Sequence, residues 1–355
     1  MTAPRPILVT GGAGFIGSHA CKQLAAAGYL PITFDNLSRG HRRAVRWGPL
    51  IVGDIRDSAA LECAIAEYRP EAILHFAALA YVGESVADPS PYYSHNVAGT
   101  LAILDAARGA GIDQLVFSSS CATYGVPDTL PVSETAPQRP VSPYGRTKLF
   151  CEQIIQDYAA AYGLRYVILR YFNASGCDPD GDLGEWHTPE THLVPRILMA
   201  ANGIIPSVEI FGSDHATPDG TCVRDFIHVT DLAHAHVLAL DYMSSGGKSL
   251  AVNIGSGQGV SVRDILDAVS RNTGRPVPTE MRPRRQGDPP ILYADPALAR
   301  RTLGFSARLS NINVILGTAA AAFASPAATG AAEGRGWQPT PFHADRSGIT
   351  AKLEP

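Results

Sequence analysis

The chain has few features that would suit a membrane, a nucleic acid or an oxidising compartment. Its 355 residues carry a formal net charge of −4, and they lack the basic run that nucleic-acid binding favours. No apolar run reaches the roughly 18 residues of a transmembrane helix, so we expect no membrane span. The N-terminus also lacks the apolar core of a signal peptide, so we expect none. The six cysteines are scattered without a CxxC pair, which favours reduced thiols in a cytoplasmic protein over disulfides or a zinc site.

Strand-like and helix-like segments alternate through the first half of the chain, and a hydrophobic content of 45% suits a full core. The alternation predicts an α/β fold with a doubly wound parallel sheet, a Rossmann domain. We assign residues 1–172 to this domain and expect 223–254 to return to it. Residues 173–222 and 255–316 are expected to form a smaller C-terminal α/β domain for substrate. Residues 317–355 are rich in Ala, Gly, Pro and Ser and predict a poorly ordered tail.

A glycine-rich turn stands near the N-terminus between a predicted strand and a predicted helix. The apolar run 7–10 suits a strand buried on both faces. Gly11, Gly14 and Gly17 follow at a spacing of three. In this context the glycines allow a tight turn, a close approach of backbone to a pyrophosphate, and close packing of helix on strand. We interpret the turn as a nucleotide-binding loop; the alternative is a purely structural turn.

Asp35 ends the second predicted strand and lies 18 residues after Gly17. At this distance a carboxylate accepts hydrogen bonds from the adenosine ribose and repels a 2′-phosphate, which predicts NAD rather than NADP. The alternative is a solvated acid at a strand end.

Tyr144 and Lys148 are four residues apart in a predicted helix over 144–162, so they share a face. Ser142 is the expected N-cap and Gly163 the expected end of that helix. A lysine beside a phenol favours the phenolate, which would make Tyr144 a base near neutral pH. Ser120 ends the preceding strand, at the edge where doubly wound sheets bind ligands. The alternative is an ordinary surface pair.

These motifs together resemble the UDP-sugar 4-epimerases of the extended short-chain dehydrogenase/reductase family. The resemblance extends from about residue 5 to about residue 315. The stretches that carry it are Gly11–Gly17, Asp35–Ser38, Val82–Ser85, Ser118–Ser120, Tyr144–Lys148, Arg170–Asn173, Val223–Val229 and Arg284–Asp288.

The resemblance implies an enzyme that interconverts UDP-glucose and UDP-galactose with tightly held NAD, by oxidation at C4, rotation of the 4-keto sugar and return of the hydride. It implies Tyr144 as catalytic base, Lys148 as its electrostatic partner and Ser120 as a hydrogen-bond partner of the sugar O4. The implied NAD contacts are Gly11, Gly14, Phe15, Ile16, Gly17, Asp35, Asn36, Ser38, Asp54, Ile55, Phe76, Ala77, Ala78, Asn96, Ser118, Tyr144, Lys148 and Tyr171. The implied substrate contacts are Ser120, Tyr144, Asn173, His192, Leu193, Phe211, Arg224, Arg285 and Asp288.

The resemblance also implies a homodimer built on the predicted helices 92–110 and 144–160. Apolar side chains on their outer faces would form the contact, namely Leu101, Leu104, Phe150, Ile154 and Tyr158. No metal is expected from the histidines at 187, 192, 215, 228, 234 and 236, because His234 and His236 are too close in sequence to share a helix face.

Other functions stay open. One is a 4-epimerase of a different UDP-sugar, and another is a 4,6-dehydratase. A dehydratase would need an Asp-Glu pair after the serine, where this chain has Cys121 and Ala122. A third is a non-enzymatic NAD-sensing protein, although such proteins have typically lost the Tyr or the Lys that this chain keeps.

Overall fold

The computed structural model describes residues 4–285 and 288–323. Within these ranges, no helix combines the length and the apolar character needed to cross a bilayer.

The strands follow the predicted order along the chain. They are β1 (Arg5–Thr10), β2 (Tyr29–Asp35), β3 (Leu50–Val52), β4 (Ala72–His75), β5 (Gln114–Ser120), β6 (Arg165–Tyr171), β7 (Asn173–Ser175), β8 (Val208–Phe211), β9 (Val223–His228), β10 (Leu250–Ile254), β11 (Gly259–Ser261), β12 (Thr279–Arg282) and β13 (Ile291–Leu292).

The helices alternate with the strands over the first half of the chain. They are α1 (Phe15–Ala26), α2 (Ser58–Tyr68), α3 (Val82–Ala87), α4 (Ser90–Tyr92), α5 (Gly99–Ala110), α6 (Pro143–Tyr162), α7 (Leu193–Ala201), α8 (Val229–Ser244), α9 (Val262–Thr273), α10 (Ala297–Leu303) and α11 (Ile312–Phe323).

A seven-stranded sheet forms the centre of the fold, with strand order β10-β6-β5-β4-β1-β2-β3. Every pair in it is parallel. The predicted doubly wound sheet is therefore confirmed. Strand β1 lies in the middle, and its residues Ile7, Leu8 and Val9 are completely buried, as a strand covered by helices on both faces requires.

Two apolar layers cover this sheet. On one face, side chains of α1, α8 and α10 pack on alternate residues of β1, β6 and β10. On the other face, side chains of α2, α5 and α6 pack on the intervening residues of β1, β4 and β5. Because the side chains of a strand alternate between faces, one central sheet serves both layers.

The second half of the chain builds a smaller unit around a separate core. Strands β11, β9 and β13 pair in that order, with β7 also on β9, and β8 pairs with β12. Helices α7, α9 and α11 supply the third core, with Ile197, Ile265 and Ile315 fully buried. Strand β10 and helix α8 lie with the large sheet, whereas β9 lies in the small one. The domain boundaries given above stay a prediction.

Local chemistry explains the long helix α6. The Ser142 hydroxyl accepts a hydrogen bond from the Gly145 amide at 3.1 Å, which satisfies one of the free amides of the first turn. Pro143 occupies the first turn, and Gly163 ends the helix at φ +76°. Both predicted ends are confirmed.

Two expectations need correction. The predicted helix 92–110 is interrupted by a π-helical turn over Tyr93–Ala98. The predicted tail does not begin at residue 317, because α11 continues past that point and Ala319 is buried in the third core. Alanine has the highest helix propensity, so the Ala-rich composition that indicated disorder instead extends a helix. Residues 324–355 of the predicted tail lie outside the described part of the chain.

A buried ion pair connects α6 to β6. Arg170 and Glu152 are almost inaccessible, and Arg170 Nη2 lies 2.6 Å from Glu152 Oε2. The Gln138 amide also donates to Glu152, at 3.0 Å. Such a pair is costly to break, because removal of one charge leaves the other buried without a partner.

We predict that Glu152→Gln lowers the free energy of unfolding by about 3–5 kcal/mol, since the Arg170 charge loses its counter-ion. The matched control is Asp113→Asn, which breaks the exposed pair with Arg165 and should cost about 0–1 kcal/mol. Urea denaturation of both variants measures the difference, and equal costs would contradict the prediction.

Candidate active site

The glycine-rich turn between β1 and α1 brings the start of a helix to the edge of the sheet. Gly11 adopts φ +75°, and a Cβ there would lie 2.6 Å from the Ala77 amide nitrogen. A Cβ on Gly17 would lie 2.2 Å from the Gly11 carbonyl oxygen. Gly14 is the N-cap residue of α1, so no side chain caps the start of this helix. The amides of Phe15 and Ile16 therefore open the first turn of α1, which itself contains no acidic residue, as an anion site requires.

Asp35, at the end of β2, lies against this turn. Its Oδ2 accepts from the Ala13 amide at 3.0 Å and its Oδ1 from the Leu37 amide at 2.8 Å. Burial raises the pKa of Asp35, and these two amides oppose the rise. Each carboxylate oxygen keeps a second acceptor site. Arg39 is the nearby cation that could favour a 2′-phosphate, but it pairs with Glu84 at 2.9 Å. The site therefore fits a ribose diol better than a 2′-phosphate.

The predicted adenine-side residues lie beyond the ends of β2 and β3. Asn36 donates to Asp54 at 3.3 Å and accepts from the Ser38 amide at 3.0 Å. Arg56 forms a close ion pair with Asp54 and holds the pKa of that carboxyl well below its usual range. Ile55 is buried.

Asn96 holds the loop that follows β4. Its amide nitrogen donates to the Leu79 carbonyl and to Thr147, both at 3.0 Å, and its oxygen accepts from the Leu79 amide at 2.8 Å. Both amide protons are thus used inside the protein. Asn96 lies in the π-helical turn, a feature frequent at functional sites. Phe76 and Ala77, with Ala78 after them, open this loop, and the amides of Phe76 and Ala77 donate to the Thr10 carbonyl.

Lys148 lies on the buried face of α6 and points at the end of β5. Its ammonium donates to the Ser118 carbonyl at 2.7 Å and lies 4.9 Å from the centre of the Phe117 ring. Burial lowers the pKa of Lys148 to about 8. The Ser118 hydroxyl contacts the Tyr171 phenol, so two of the predicted cofactor residues meet here.

Tyr144 is buried one turn before Lys148. Burial raises the pKa of Tyr144 to about 12, and only the nearby Ser120 side chain lowers it. In the protein without its cofactor, burial therefore dominates the pKa of Tyr144, and the Lys148 ammonium is directed at the Ser118 carbonyl. That Lys148 and the nicotinamide ring together favour the phenolate stays a prediction. A phenolate at Tyr144 needs a further positive charge near the ring. The Ser120 hydroxyl accepts from the Ala122 amide at 3.1 Å, which orients it at the strand end.

Apart from Ser120 and Tyr144, the predicted substrate residues lie after β6, and the contacts of the arginines among them differ. Arg224 on β9 forms an ion pair with Asp288, so these two residues meet. Arg285 instead stacks on Phe211, with 3.8 Å between its guanidinium carbon and the ring centre. Asn173 donates to the Asp225 carbonyl at 3.0 Å, which ties β7 to β9.

His192 and Leu193 stand at the start of α7, and their contacts are with residues other than Arg224 and Asp288. His192 is the N-cap residue of α7, and its Nδ1 lies 2.7 Å from Glu185 Oε1. Leu193 packs against the third core. Core packing is the alternative to the predicted substrate contact for this residue.

Sequence reasoning missed how residues 184–187 approach the glycine-rich turn. Gly184, Trp186 and His187 line a small cavity together with Gly14 and Phe15. His41 contacts the Trp186 carbonyl, and Arg43 lies over the Trp186 ring. A tryptophan inside a Gly-, Asp- and Pro-rich stretch was the available signal, since a large aromatic side chain in a loop usually packs on something.

A glycine-rich turn beside a helix that carries Tyr and Lys, above the carboxyl end of a parallel sheet, is the arrangement of the extended short-chain dehydrogenases/reductases. The chain has this architecture throughout its large sheet. The chain belongs to the NAD dependent epimerase/dehydratase family, whose pattern matches residues 7–255.

Known proteins resemble it over most of its length. A Rhizobium meliloti protein named UDP-glucose 4-epimerase is 54% identical over 299 residues, 84% of this chain and 91% of that protein. The crystal structure of a Brucella ovis UDP-glucose 4-epimerase in complex with NAD is 58% identical, with a TM-score of 0.88, over 90% of this chain and 98% of that one. A Bifidobacterium longum UDP-glucose 4-epimerase with NAD+ and UDP is 38% identical, with a TM-score of 0.84, over 89% and 97%.

We predict that Lys148→Met stabilises the nucleotide-free protein near pH 7. The lowering of the Lys148 pKa from 10.5 to about 8 corresponds to about 3 kcal/mol of unfavourable burial. Loss of the hydrogen bond to Ser118 offsets about 1 kcal/mol of the gain, which leaves a net increase of about 2 kcal/mol.

The pH dependence gives the check. Between pH 8 and pH 10.5 the unfolded wild-type chain binds more protons at Lys148 than the folded one, so wild-type stability rises with pH in that window. Urea denaturation at several pH values should show the gap between wild type and Lys148→Met closing as pH rises. A constant gap would contradict the burial argument.

Proposed function

We propose that this chain is a UDP-sugar 4-epimerase that interconverts UDP-glucose and UDP-galactose, with NAD as its resident cofactor. The observation that carries the proposal is that two side chains of α6 reach the end of β5, Tyr144 at Ser120 and Lys148 at the Ser118 carbonyl. The relatives named UDP-glucose 4-epimerase, which align over most of both chains, support the choice of reaction.

The residues near the turn fit NAD. The start of α1 would hold the pyrophosphate, Asp35 the adenosine ribose, and Lys148 with Tyr171 and Ser118 the nicotinamide end. The glycines support this fit. A Cβ at Gly11 or Gly17 would collide with backbone atoms, so a side chain at either position is incompatible with this arrangement of the loop and helix. When bound, NAD supplies the redox chemistry, accepting a hydride from C4 of the sugar and returning it.

Tyr144 moves the proton. As a phenolate it accepts the proton of the sugar 4-hydroxyl, and as a phenol it returns that proton after inversion. Burial holds its pKa at about 12 in the protein alone, so the base depends on the positive charge that oxidised NAD brings to the site. Ser120 steadies the sugar oxygen. Proton loss is thereby linked to the presence of the oxidised cofactor, which suits a base that must act only when hydride transfer is possible.

Inversion requires that the protein binds the UDP part tightly and the hexose weakly. Arg224, Arg285 and Asp288 are proposed to bind the UDP part, since guanidinium groups match phosphate oxygens. Asn173, His192, Leu193 and Phe211 are proposed to complete this side of the site. Because the binding contacts are to UDP, the 4-keto hexose can rotate. It then presents its other face to the cofactor before Tyr144 returns the proton.

The neighbourhood of Ser120 argues against a 4,6-dehydratase. Elimination across C5 and C6 needs an acid and a base after the serine. Cys121 and Ala122 stand there, and burial raises the pKa of the Cys121 thiol to about 12. A thiol that stays protonated cannot serve as that base, which favours epimerisation. A different UDP-sugar as physiological substrate remains compatible with the same residues.

Two further proposals concern the oligomeric state of the protein and the cellular compartment in which it works. We propose a homodimer through α5 and α6, and a reducing compartment such as the cytoplasm, since all six cysteines are free. Phe150 is 41% exposed on α6 and contacts Tyr93, which gives the contact an apolar centre. Leu104 does not belong to that face, because it is buried in the core beneath α5.

We predict that Tyr144→Phe lowers kcat by about two to four orders of magnitude, the usual range for loss of a general acid–base group, with little change in UDP affinity. Conversion of UDP-galactose and titration with UDP measure the two effects. Tyr162→Phe, on the exposed end of the same helix, is the matched control and should retain full turnover. Near-normal turnover of Tyr144→Phe would refute the mechanism, and net reduction of NAD with each sugar converted would indicate a dehydrogenase.

We predict that Phe150→Arg converts the dimer into a monomer, because a charge at the apolar centre would have to be buried without a partner. Light scattering at micromolar concentration gives the mass. Met281→Arg on β12 is a comparable exposed apolar position and should leave the mass unchanged. A monomeric wild-type chain would refute the dimer.

A further inference from the structure

A segment of the small unit reaches the nucleotide side of the large sheet, and we call its residues 178–187 the clasp. The chain before it is anchored in the small unit, where Cys177 is buried in the third core and donates its amide to Thr318 at 3.2 Å. The chain after it leads into α7, whose Ile197 is fully buried in the same core. The clasp is therefore a part of the small unit that contacts the other unit of the protein.

Ionic contacts join the clasp to α1. The Lys22 ammonium donates to Asp178, Asp180 and Asp182 at 2.7–3.0 Å. Asp178 is almost inaccessible and also accepts a hydrogen bond from the Asp182 amide at 2.9 Å. Salt screens buried charges much less than exposed ones, so this cluster holds the first half of the clasp firmly against α1.

The loop that follows β2 holds the clasp at further places. Arg46 donates to the Asp182 carboxylate at 2.7 Å. The Arg43 guanidinium carbon lies 3.9 Å from the centre of the Trp186 ring, and His41 contacts the Trp186 carbonyl. Tryptophan gives the strongest cation–π contacts, so Trp186 is the residue through which this loop binds the second half of the clasp.

The clasp also lies against the glycine-rich turn. Gly184 and Trp186 line one small cavity together with Gly14 and Phe15, and the His187 ring stands edge-on at 6.0 Å from the Phe15 ring. Phe15 is the first residue of α1, whose free amides form the proposed pyrophosphate site. The clasp therefore borders that site.

The glycine-rich turn and the loop after β2 are the two walls of the proposed NAD site, and they also contact each other. The Asp35 carboxylate accepts from the Ala13 amide at 3.0 Å, and the His41 amide donates to the Ala13 carbonyl at 2.9 Å. Movement of either wall opens a site that lies between them. Because the clasp binds both walls and α1, such a movement strains its contacts with Lys22 and Trp186.

We propose that the clasp keeps NAD bound from one turnover to the next, with Lys22 and Trp186 as the positioning residues on which this retention depends. The inference rests on the proposed function, in which NAD is regenerated in every cycle and has no need to leave. Loss of the reduced cofactor beside a 4-keto sugar would leave the sugar without its hydride and end the cycle. The ionic and cation–π contacts of the clasp make that loss slow.

The rate of NAD exchange in the full chain tests the proposal. Protein loaded with NAD is diluted into excess isotopically labelled NAD, and mass spectrometry of the nucleotide that stays bound gives the rate. Trp186→Ala loses the cation–π contact and the apolar contact of the ring, so we expect about tenfold faster exchange. Lys22→Met should increase the rate further, because it leaves the buried Asp178 carboxylate without its counter-ion.

Matched controls change the same chemistry elsewhere in the protein. The Tyr162 ring also lies beneath an arginine, 4.8 Å from the guanidinium carbon of Arg108, so Tyr162→Ala removes a comparable contact. Lys248→Met removes an exposed lysine. Both controls should exchange NAD at the wild-type rate. Arg43→Met removes the cation from Trp186 and keeps the ring, and it should also accelerate exchange, so the test does not depend on the folding of one variant.

Further readouts separate the retention of NAD from a general loss of structure. Hydrogen exchange in the NAD-loaded variants should be faster within residues 36–46 and unchanged in α6. With saturating NAD, kcat for UDP-galactose should stay near the wild-type value, because the contacts of the clasp described above do not include Tyr144 or Lys148. Thermal unfolding of the NAD-free variants confirms that each chain is folded.

Folded Trp186→Ala and Lys22→Met variants that exchange NAD at the wild-type rate would overturn the proposal, as would equal acceleration in the controls. In either case, a wild-type chain that retains NAD and converts UDP-galactose leaves the proposed function intact. A wild-type chain that binds no NAD would instead refute the proposed function and the role of the clasp together.

Discussion

The close contact between the glycine-rich turn and the end of β4 is the constraint on which the site depends. A side chain at Gly11 would lie 2.6 Å from the Ala77 amide, and one at Gly17 would lie 2.2 Å from the turn itself. Without Cβ atoms at these places, α1 can begin directly at the sheet edge and direct its free amides into the crevice. The Asp35 carboxylate then accepts a hydrogen bond from the Ala13 amide in the turn. This bond fixes the position of the predicted ribose site relative to the predicted pyrophosphate site.

Helix α6 combines chemistry and stability on one buried face. Tyr144, Lys148 and Glu152 are four residues apart, so all three point at the sheet. Burial raises the pKa of the tyrosine and lowers that of the lysine, and both changes disfavour the charged forms. Glu152, by contrast, is fully paired with Arg170. The helix therefore holds one satisfied ion pair, which anchors it, beside two groups whose charged forms are disfavoured by burial.

Physical reasons separate what could be predicted from what could not. The sheet, the ends of α6 and the glycine-rich turn rest on local chemistry, such as the Ser142 cap and the positive φ of Gly163, and these predictions were confirmed. The π-helical turn around Asn96 depends on its bonds to Leu79, a contact across the fold. The rise in the pKa of Tyr144 in the cofactor-free protein could not be predicted from the sequence, because burial is a property of the packed structure.

The sequence by itself determined the fold class, the glycine-rich turn and the helix that carries Tyr144, since each depends on periodicity, capping or the absence of a side chain. Only the tertiary structure decided which charges meet. Arg39 is occupied by Glu84, Lys22 fills one acidic cluster, and two histidines of the 185–192 loop converge on two glutamates. Sequence spacing does not reveal such meetings, because a loop without helical or strand periodicity does not specify where its side chains point until it packs.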